Sequence, residues 1–280
     1  MVTIRDLLTD CGLARIADIV EAAVRPTVFL TPVAETEAAC TRLGGRPNLP
    51  PELVWPNWHG RSLPFVAQLD LAAIPQAKEL GLPREGSLHF FYEGGGEAWG
   101  FRPQDRGSAK VFCTAYRLSE SPLRDYPDDV EEEMRFRGVQ LDATTAVASL
   151  PDYEDPLLAT LGLSQEERDQ YFTLLEAWRQ KVPPTGHRIG GHPESIQDDP
   201  KLQAQIVSNG IDAGTPGGYE QAKELGLWEG AGDWELLLQV DSDESAAMMW
   251  GDMGRLYFMI RRQDLAQLNF ESCWLVFQCG

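Results

Sequence analysis

A repeated Gln-x-Asp motif holds the polar residues best placed for chemistry in this sequence. The motif ends two apolar strands, at 68–70 and at 239–241. Because side chains alternate between the two faces of a strand, each Gln and Asp points away from its apolar neighbours. Six residues could line a polar crevice: Gln68, Asp70, Gln239, Asp241, Trp250 and Asp252. Residues at strand ends more often bond the backbone of nearby loops, and the sequence favours that use here.

A metal centre needs histidine, cysteine or carboxylate side chains that converge. Only two of the four histidines are close in sequence, and these, His187 and His192, flank a Gly-Gly turn. The segment from Asp241 to Asp252 has the length of a twelve-residue calcium loop. However, Ala246 stands where that loop needs glycine, and Asp252 stands where it needs glutamate. We therefore expect no metal and no cofactor.

Signatures of catalysis are missing from the sequence. The glycine-rich runs at 94–96 and 214–218 lack the lysine and the Ser or Thr of a phosphate loop. No Gly-x-Ser-x-Gly elbow occurs, which is the nucleophile turn of α/β-hydrolases. Acidic residues are too numerous for their spacing to identify a general acid and a general base. The sequence favours a binding protein over an enzyme.

The chain is strongly acidic, with 24 Lys and Arg against 43 Asp and Glu and a formal net charge of −19. Nucleic acids and anionic membrane surfaces repel such a charge, so we expect neither as a partner. A basic protein would be attracted to it, although the same charge also maintains solubility. The acidic candidates for a partner-binding face are Asp125, Asp128, Asp129, Glu131, Glu132, Glu133, Asp152, Glu154, Asp155, Asp241, Asp243 and Glu244.

The length of 280 residues allows one large or two small domains with a sizeable core. The N-terminus has early acidic residues, and no stretch approaches the roughly 20 apolar residues that span a bilayer. The five cysteines are odd in number and widely spaced, which is typical of reduced thiols. These features predict a cytoplasmic protein.

Hydrophobic periodicity predicts the main elements. Residues 3–24 have the spacing of one broken or two short amphipathic helices, and a capping box at Ser164 and Glu167 opens another helix. Further helices are predicted at Gln76–Leu80, after Pro200 and before Gly226. The predicted strands are Thr27–Val33, Phe65–Leu71, Ser87–Tyr92, Lys110–Arg117, Glu235–Asp241, Arg255–Ile260 and Trp274–Phe277, and Phe136–Ala148 is predicted to be a strand or a hairpin arm.

Three motifs occur twice in the same order. RLGGRP at 42–47 matches RIGGHP at 188–193, the Gln-x-Asp strands match each other, and GSLHFF at 86–91 matches GRLYFM at 254–259. This pattern predicts an internal duplication. We expect a single α+β domain of two similar halves around a mixed or antiparallel sheet. Its predicted parts are N-terminal helices (1–26), a first half (27–118), an acidic helical insert (119–186) and a second half (187–280).

An ordered series of motifs runs from Arg42 to the C-terminus. It comprises the Gly-Gly-x-Pro turn with LP at 49–50 and WP at 55–56, FVAQLD at 65–70, Gly86–Tyr92, QVDSD at 239–243 and MWGD at 249–252. In this series the chain resembles the YwqG family of bacterial domains. The resemblance implies a single α+β domain with an internal repeat, and it implies no established activity or catalytic residues. Genes of that family sometimes lie near toxin systems, so the resemblance suggests toxin neutralisation.

Two functions of different classes follow from these features. The first is a non-enzymatic immunity protein whose acidic face binds and neutralises a basic, nuclease-type toxin. A nuclease must itself be basic to hold nucleic acid, which makes it a complementary partner. The alternative is a small-molecule binder or hydrolase-like enzyme that uses the polar crevice between the two halves.

Overall fold

A computed structural model describes residues 3–34, 40–143, 147–183 and 185–280 of the chain. The helices are α1 (Ile4–Asp10), α2 (Ala17–Ala23), α3 (Pro156–Thr160), α4 (Gln165–Arg179), α5 (Pro200–Ser208), α6 (Pro216–Glu224) and α7 (Arg262–Ala266). The strands are β1 (Arg25–Pro32), β2 (Arg42–Leu43), β3 (Asn57–Trp58), β4 (Arg61–Ser62), β5 (Phe65–Asp70), β6 (Ser87–Tyr92), β7 (Ala109–Thr114), β8 (Val139–Ala143), β9 (Val147–Ser149), β10 (Arg188–Gly190), β11 (Trp234–Asp241), β12 (Arg255–Arg261) and β13 (Trp274–Gln278).

One large antiparallel sheet organises the fold. Its order is β13-β12-β11-β10-β1-β8-β2-β5-β6-β7, and β9 also pairs with β1. All pairings between the described strands are antiparallel. The α+β class and the antiparallel sheet predicted from the sequence are therefore confirmed.

The two ends of this sheet approach each other through the connection between β6 and β7. The backbone N–H of Phe277 in β13 donates to the carbonyl of Trp99 at 2.9 Å. The indole N–H of Trp274 donates to the carbonyl of Gly100 at 2.8 Å. These bonds satisfy backbone groups at the β13 edge and leave the sheet nearly closed.

The acidic stretch at 119–186 is not set apart from the sheet. Its strand β8 pairs with β1 and β2, and its strand β9 pairs with β1. These strands correspond to the predicted strand Phe136–Ala148, of which 144–146 lie outside the described residues. The same stretch also supplies α3 and α4. The stretch predicted to be an acidic helical insert therefore contributes strands to the central sheet as well as two helices.

A β-bulge interrupts both Gln-x-Asp strands at the same distance before the motif. The register shifts between Phe65 and Ala67 in β5, and between Leu236 and Leu238 in β11. A bulge adds one residue and re-aims the side chains on one side of it. Phe65 consequently packs in a small separate cluster, whereas Ala67 packs in the main core. Strict two-residue alternation, without a bulge, would place these two side chains on one face.

Three helices pack together beside β1 and β9, near the centre of the sheet. The buried side chains Leu8 and Val20 of α1 and α2 pack with Tyr171 and Leu174 of α4. The capping box at Ser164 is present, as predicted, and opens α4. The helix predicted at Gln76–Leu80 is wrong, because residues 75–81 form a series of turns. Its short, polar sequence has too little apolar surface to hold a helix against the sheet.

Candidate functional site

The paired glutamines of the predicted crevice are fully buried and bonded to backbone. The Gln68 side-chain oxygen accepts the N–H of Asn48 at 2.8 Å, and its amide donates to the carbonyl of Cys40 at 2.9 Å. Gln239 accepts the N–H of Glu194 at 3.0 Å and donates to the carbonyl of Gly186 at 2.8 Å. Each glutamine thus fixes the loop around one Gly-Gly turn, and neither has exposed surface for a ligand.

The other predicted crevice residues have local partners. The Asp70 side chain accepts the N–H at the start of the turn that follows its strand, at 3.2 Å. Asp241 lies 3.2 Å from the guanidinium of Arg255, and the Trp250 indole donates to the backbone carbonyl of Asp241. Asp252 is exposed. The structure brings Asp241, Trp250 and Asp252 into one loop region at the end of β11.

The loop after β11 is held by a hydrogen bond between the side chains of His187 and Asp243. Asp243 Oδ2 lies 3.1 Å from His187 Nε2, and its Oδ1 accepts bonds from Ser245. The hydrogen bond with His187, followed by that from Ser245, holds the pKa of Asp243 well below its usual range. Glu244 is exposed beside it. Asp243 is therefore a structural carboxylate of this loop.

Most of the predicted acidic residues before β8 are exposed. Five carboxylates occur in the six residues from 128 to 133. We call the exposed carboxylates of this segment the acidic surface, and they are Asp125, Asp128, Asp129, Glu131, Glu132 and Glu133. Asp125 pairs with Arg46 at 2.9 Å. Asp129 accepts the backbone N–H of Ser62 at 2.8 Å, which lowers its pKa.

The arginines next to the acidic surface leave most of its charge uncompensated. Arg124 donates to the carbonyl of Leu53, Arg135 to that of Val130 at 2.9 Å, and Arg137 to that of Glu244. These three guanidinium groups therefore form hydrogen bonds with backbone carbonyls. Within the described part of the chain, no Lys or Arg nitrogen lies within 4.0 Å of the carboxylates of 128 or 131–133.

Three apolar side chains are exposed in loops that contact the chain just before Asp125, where the acidic surface begins. Val54 is 80% exposed, Leu123 48% and Tyr116 47%. We call these three residues the apolar patch. Contacts link the loops that carry them. The Tyr116 and Glu52 side chains are hydrogen-bonded, and Leu123 forms an isolated β-bridge with Asn48. Exposed apolar side chains rimmed by charge are typical of a protein interaction site.

Two of the predicted surface acids are instead buried. Asp152 is 7% exposed and pairs with Arg179 at 2.9 Å, while Asp155 is 5% exposed. Glu154, between them, is largely exposed. Partial desolvation of its carboxyl group, together with the charge of Asp198, raises its pKa. Asp152 and Asp155 therefore lie outside any surface that a partner could reach. Their carboxylates belong to an internal network of charged groups.

Four charged side chains meet where β10, α3 and α5 come together. Lys201 bonds Asp155 directly, and its Nζ lies 3.6 Å from Asp199 Oδ2. His192 Nδ1 lies 3.0 Å from Asp155 Oδ2, and His192 Nε2 lies 2.8 Å from the carbonyl of Ala23. Both ring nitrogens of His192 therefore face an oxygen that can accept a hydrogen bond. We call Asp155, His192, Asp199 and Lys201 the buried quartet.

Burial and charge set the protonation of the buried quartet. Burial acts to raise the pKa of Asp155, but the bond with His192 and the charge of Lys201 hold it well below its usual range. Asp199 is more enclosed, and burial raises its pKa to about 6. The charges of Asp199 and Asp155 outweigh burial and raise the pKa of Lys201.

The sequence analysis did not identify the buried quartet, although a signal for it was present. Asp155 and Asp199 each precede a proline and cap the helix that this proline opens. An Asp-Pro pair at a helix start fixes the carboxylate close to the backbone. The sequence predicts a helix start at Asp198 or Asp199 with Pro200, whereas it places Asp155 among the surface acids because acidic residues surround it.

The chain matches one protein-family model over residues 41–279, described as Domain of unknown function (DUF1963). It belongs to the DUF1963 family. A search of curated proteins found no match to the chain. The region shared with DUF1963 includes both Gly-Gly turns, both Gln-x-Asp strands and the acidic surface. It leaves out α1, α2 and β1, although β1 lies at the centre of the sheet.

Two further findings concern the described residues of this DUF1963 domain. No group of three or more His, Cys, Asp or Glu side chains is arranged to hold a metal ion. No helix is long and apolar enough to cross a membrane. All five cysteines are free thiols in the structure, as the sequence predicts.

Proposed function

We propose that this protein is a non-enzymatic binding protein of the cytoplasm that neutralises a basic, nuclease-type toxin through its acidic surface. The observation that carries the proposal is the pairing of uncompensated carboxylates with exposed apolar side chains. The carboxylates supply attraction over distance, and the apolar patch supplies area that is buried on contact. The resemblance to the YwqG family, with its occasional toxin-linked genes, points to the same function.

The location of the nearby arginines supports specificity for a basic partner. A protein that used acidic residues only for solubility would intersperse both charge signs over its surface. Here Arg124, Arg135 and Arg137 bond backbone carbonyls and leave the run at 128–133 uncompensated. A basic partner would provide the missing counter-charges and would associate faster at low ionic strength.

We also propose that the two halves of the fold are an internal duplication. The bulges, the Gln-x-Asp strands and the Gly-Gly turns correspond between β5 and β11 and between β2 and β10. The strand that carries each Gly-Gly turn also pairs with a strand from outside its own half. β1 pairs with β10, and β8 pairs with β2. The acidic surface falls between the two repeats and is present once, so it was acquired outside the repeated unit.

The experiment that tests the proposed function is affinity purification from the protein's own cells with two matched variants. The surface variant carries D128N, E131Q, E132Q and E133Q. The control variant carries E220Q, E224Q, E229Q and E271Q, four exposed acids elsewhere. Both variants change the net charge from −19 to −15, so only the position of the charges differs.

We expect one basic protein in stoichiometric amount with the wild type and with the control variant. High salt should release it. Charges are screened beyond about 8 Å at physiological ionic strength, and added salt shortens this distance further and so weakens the attraction. The surface variant should retain little of it. Equal retention by the surface variant and the wild type would contradict the proposal, as would the absence of any basic protein at low salt.

A further inference from the structure

A small cavity of about 80 Å³ adjoins the acidic surface. It is lined by the β3–β4 hairpin, by the segment 93–97 that follows β6 and by the segment 129–134. Leu63 and Val130 are the buried part of its lining, at 1% and 3% exposure, and Trp58 and Met134 are half-buried. Whole small molecules usually need about 300–1,000 Å³. This cavity instead has room for the end of one long side chain.

The charged side chains of the lining are mostly acidic. Four carboxylates and one guanidinium belong to it, from Glu93, Glu97, Asp129, Glu131 and Arg61. The Arg61 guanidinium lies 3.6 Å from Glu97, too far for a hydrogen bond, and both side chains are largely exposed. Among the described residues, no Lys or Arg nitrogen lies within 4.0 Å of the Glu131 carboxylate. The cavity therefore has an excess of negative charge that a further cation would balance.

Two of these carboxylates are held in place by backbone N–H groups. Glu93 accepts the N–H of Ala98 and that of Gly95, each at 3.0 Å. Asp129 accepts the N–H of Ser62 at 2.8 Å. Because each carboxylate oxygen has two lone pairs, both groups can accept further hydrogen bonds. Acceptors that are already in position reduce the ordering cost of binding a cation.

Trp58 gives the cavity an aromatic ring beside its carboxylates. A guanidinium group is attracted to the face of tryptophan within about 6 Å and stacks on it. Its planar set of N–H donors also matches carboxylate oxygens, whereas a lysine ammonium is a compact, strongly hydrated charge. A metal ion would leave Trp58 and Met134 without contact. The mixture of aromatic, apolar and acidic lining therefore favours an arginine side chain.

We propose that this cavity receives an arginine side chain of the protein's basic partner. The guanidinium donates to Glu131 and Asp129 and stacks on Trp58, and the methylene groups pack against Met134. Arginines that fill a pocket are among the residues that carry most of the binding energy of an interface. This inference rests on the proposed function and adds to it the point at which the partner is anchored.

Titration with N-acetyl-L-arginine methylamide tests the cavity without the partner. The matched neutral probe is N-acetyl-L-citrulline methylamide, in which an oxygen replaces one guanidinium nitrogen. Binding is followed by NMR at the indole N–H of Trp58, whose signal is assigned with the variant W58F. Three variants locate the site: E131Q removes a lining carboxylate, R61Q removes the competing cation, and E132Q removes a neighbouring carboxylate that does not line the cavity.

We expect the citrulline probe to bind about tenfold more weakly than the arginine probe, since it lacks the charge that strengthens the hydrogen bonds. For the arginine probe, E131Q should raise the dissociation constant about threefold and R61Q should lower it about threefold, the usual effect of one exposed charge pair. E132Q should change it less than E131Q does. Equal binding of the two probes, weaker binding to R61Q than to wild type, equal effects of E131Q and E132Q, or no binding to the wild type would overturn the proposal.

This result is separable from the outcome for the proposed function. If affinity purification recovers a basic protein but the arginine probe does not bind, the partner is held elsewhere and only the inference about the cavity fails. If the probe binds as expected but no basic protein is recovered, the proposed function fails and the cavity remains an arginine site.

Discussion

His89 and Tyr257 hold equivalent backbone carbonyls in the two halves of the sheet. His89 Nε2 lies 2.8 Å from the carbonyl oxygen of Asn48, and the Tyr257 hydroxyl donates to the carbonyl of Glu194 at 2.7 Å. The N–H groups of Asn48 and Glu194 are bonded by the paired glutamines. One half thus uses a titratable side chain where the other uses a hydroxyl that stays neutral at ordinary pH. His89 is therefore the titratable member of these two carbonyl contacts.

Acid should destabilise the protein through His89. Burial lowers its pKa to about 4, whereas an unfolded chain has a histidine pKa of about 6.5. Between these values the unfolded state binds a proton that the folded state does not, so the free energy of unfolding falls as pH falls. The loss reaches about 3 kcal/mol by pH 4. Denaturant unfolding at a series of pH values from 7 to 4 measures it.

The variant H89Q separates this effect from other titrating groups. Glutamine keeps an amide donor for the Asn48 carbonyl but binds no proton. We expect H89Q to be less stable than wild type at pH 7, and the difference to shrink by about 3 kcal/mol at pH 4. The control H59Q changes an exposed histidine and should show a constant difference. A difference between H89Q and wild type that does not depend on pH would show that His89 titrates normally.

The first Gly-Gly turn should tolerate no side chain at Gly44. Its φ is +50°, and an added Cβ would lie 2.4 Å from the backbone oxygen of Arg137. We expect G44A to lower the free energy of unfolding by about 3 kcal/mol, from backbone strain plus displacement of β8. Gly60 has a φ of +80° and open space around its Cβ position. G60A should therefore lower the free energy of unfolding only through backbone strain, by about 1 kcal/mol. Equal losses in denaturant unfolding would show that the approach of residue 137 is unimportant.

Removal of the Lys201 ammonium should leave two buried carboxylates with too few partners. We expect K201M to lower the free energy of unfolding by about 3 kcal/mol or more, the usual result of breaking a buried ion pair. K78M, at an exposed lysine, should change it by no more than about 0.5 kcal/mol. The double variant D155N/K201M should recover part of the loss, because asparagine needs no counter-charge. Calorimetric melting of the four proteins measures these effects, and a K201M variant as stable as K78M would contradict the buried ion pair.

Local patterns in the sequence were sufficient to predict most of the strands and helix starts. The capping box at Ser164 and the helix opened by Pro200 depend on neighbouring residues, and the structure has both. The faces of β5 and β11 were harder to predict, because a bulge is set by the partner strand. The turn at residues 75–81 also depends on tertiary packing, which outweighs helix propensity in so short a segment.

The candidate site was predictable only where it lies at the surface. The run of acids at 128–133 is visible as composition, and the structure exposes it. The burial of Asp152 and Asp155 was not predictable, because their partners Arg179, His192 and Lys201 are 27, 37 and 46 positions away in the sequence. A cavity beside them is lined by residues of α2, α3, α5 and β11. No local pattern in the sequence brings these four elements together.

The most direct test of the proposed function is a titration of the recovered basic partner's nuclease activity. We expect the wild type and the E220Q/E224Q/E229Q/E271Q control to inhibit cleavage at a ratio of one to one. The D128N/E131Q/E132Q/E133Q variant should need about tenfold more protein, since lost steering and lost ion pairs weaken association. If the partner cleaves nucleic acid equally well with and without the wild-type protein, or if the surface variant inhibits as well as the wild type, the account of this protein as a toxin-neutralising protein is contradicted.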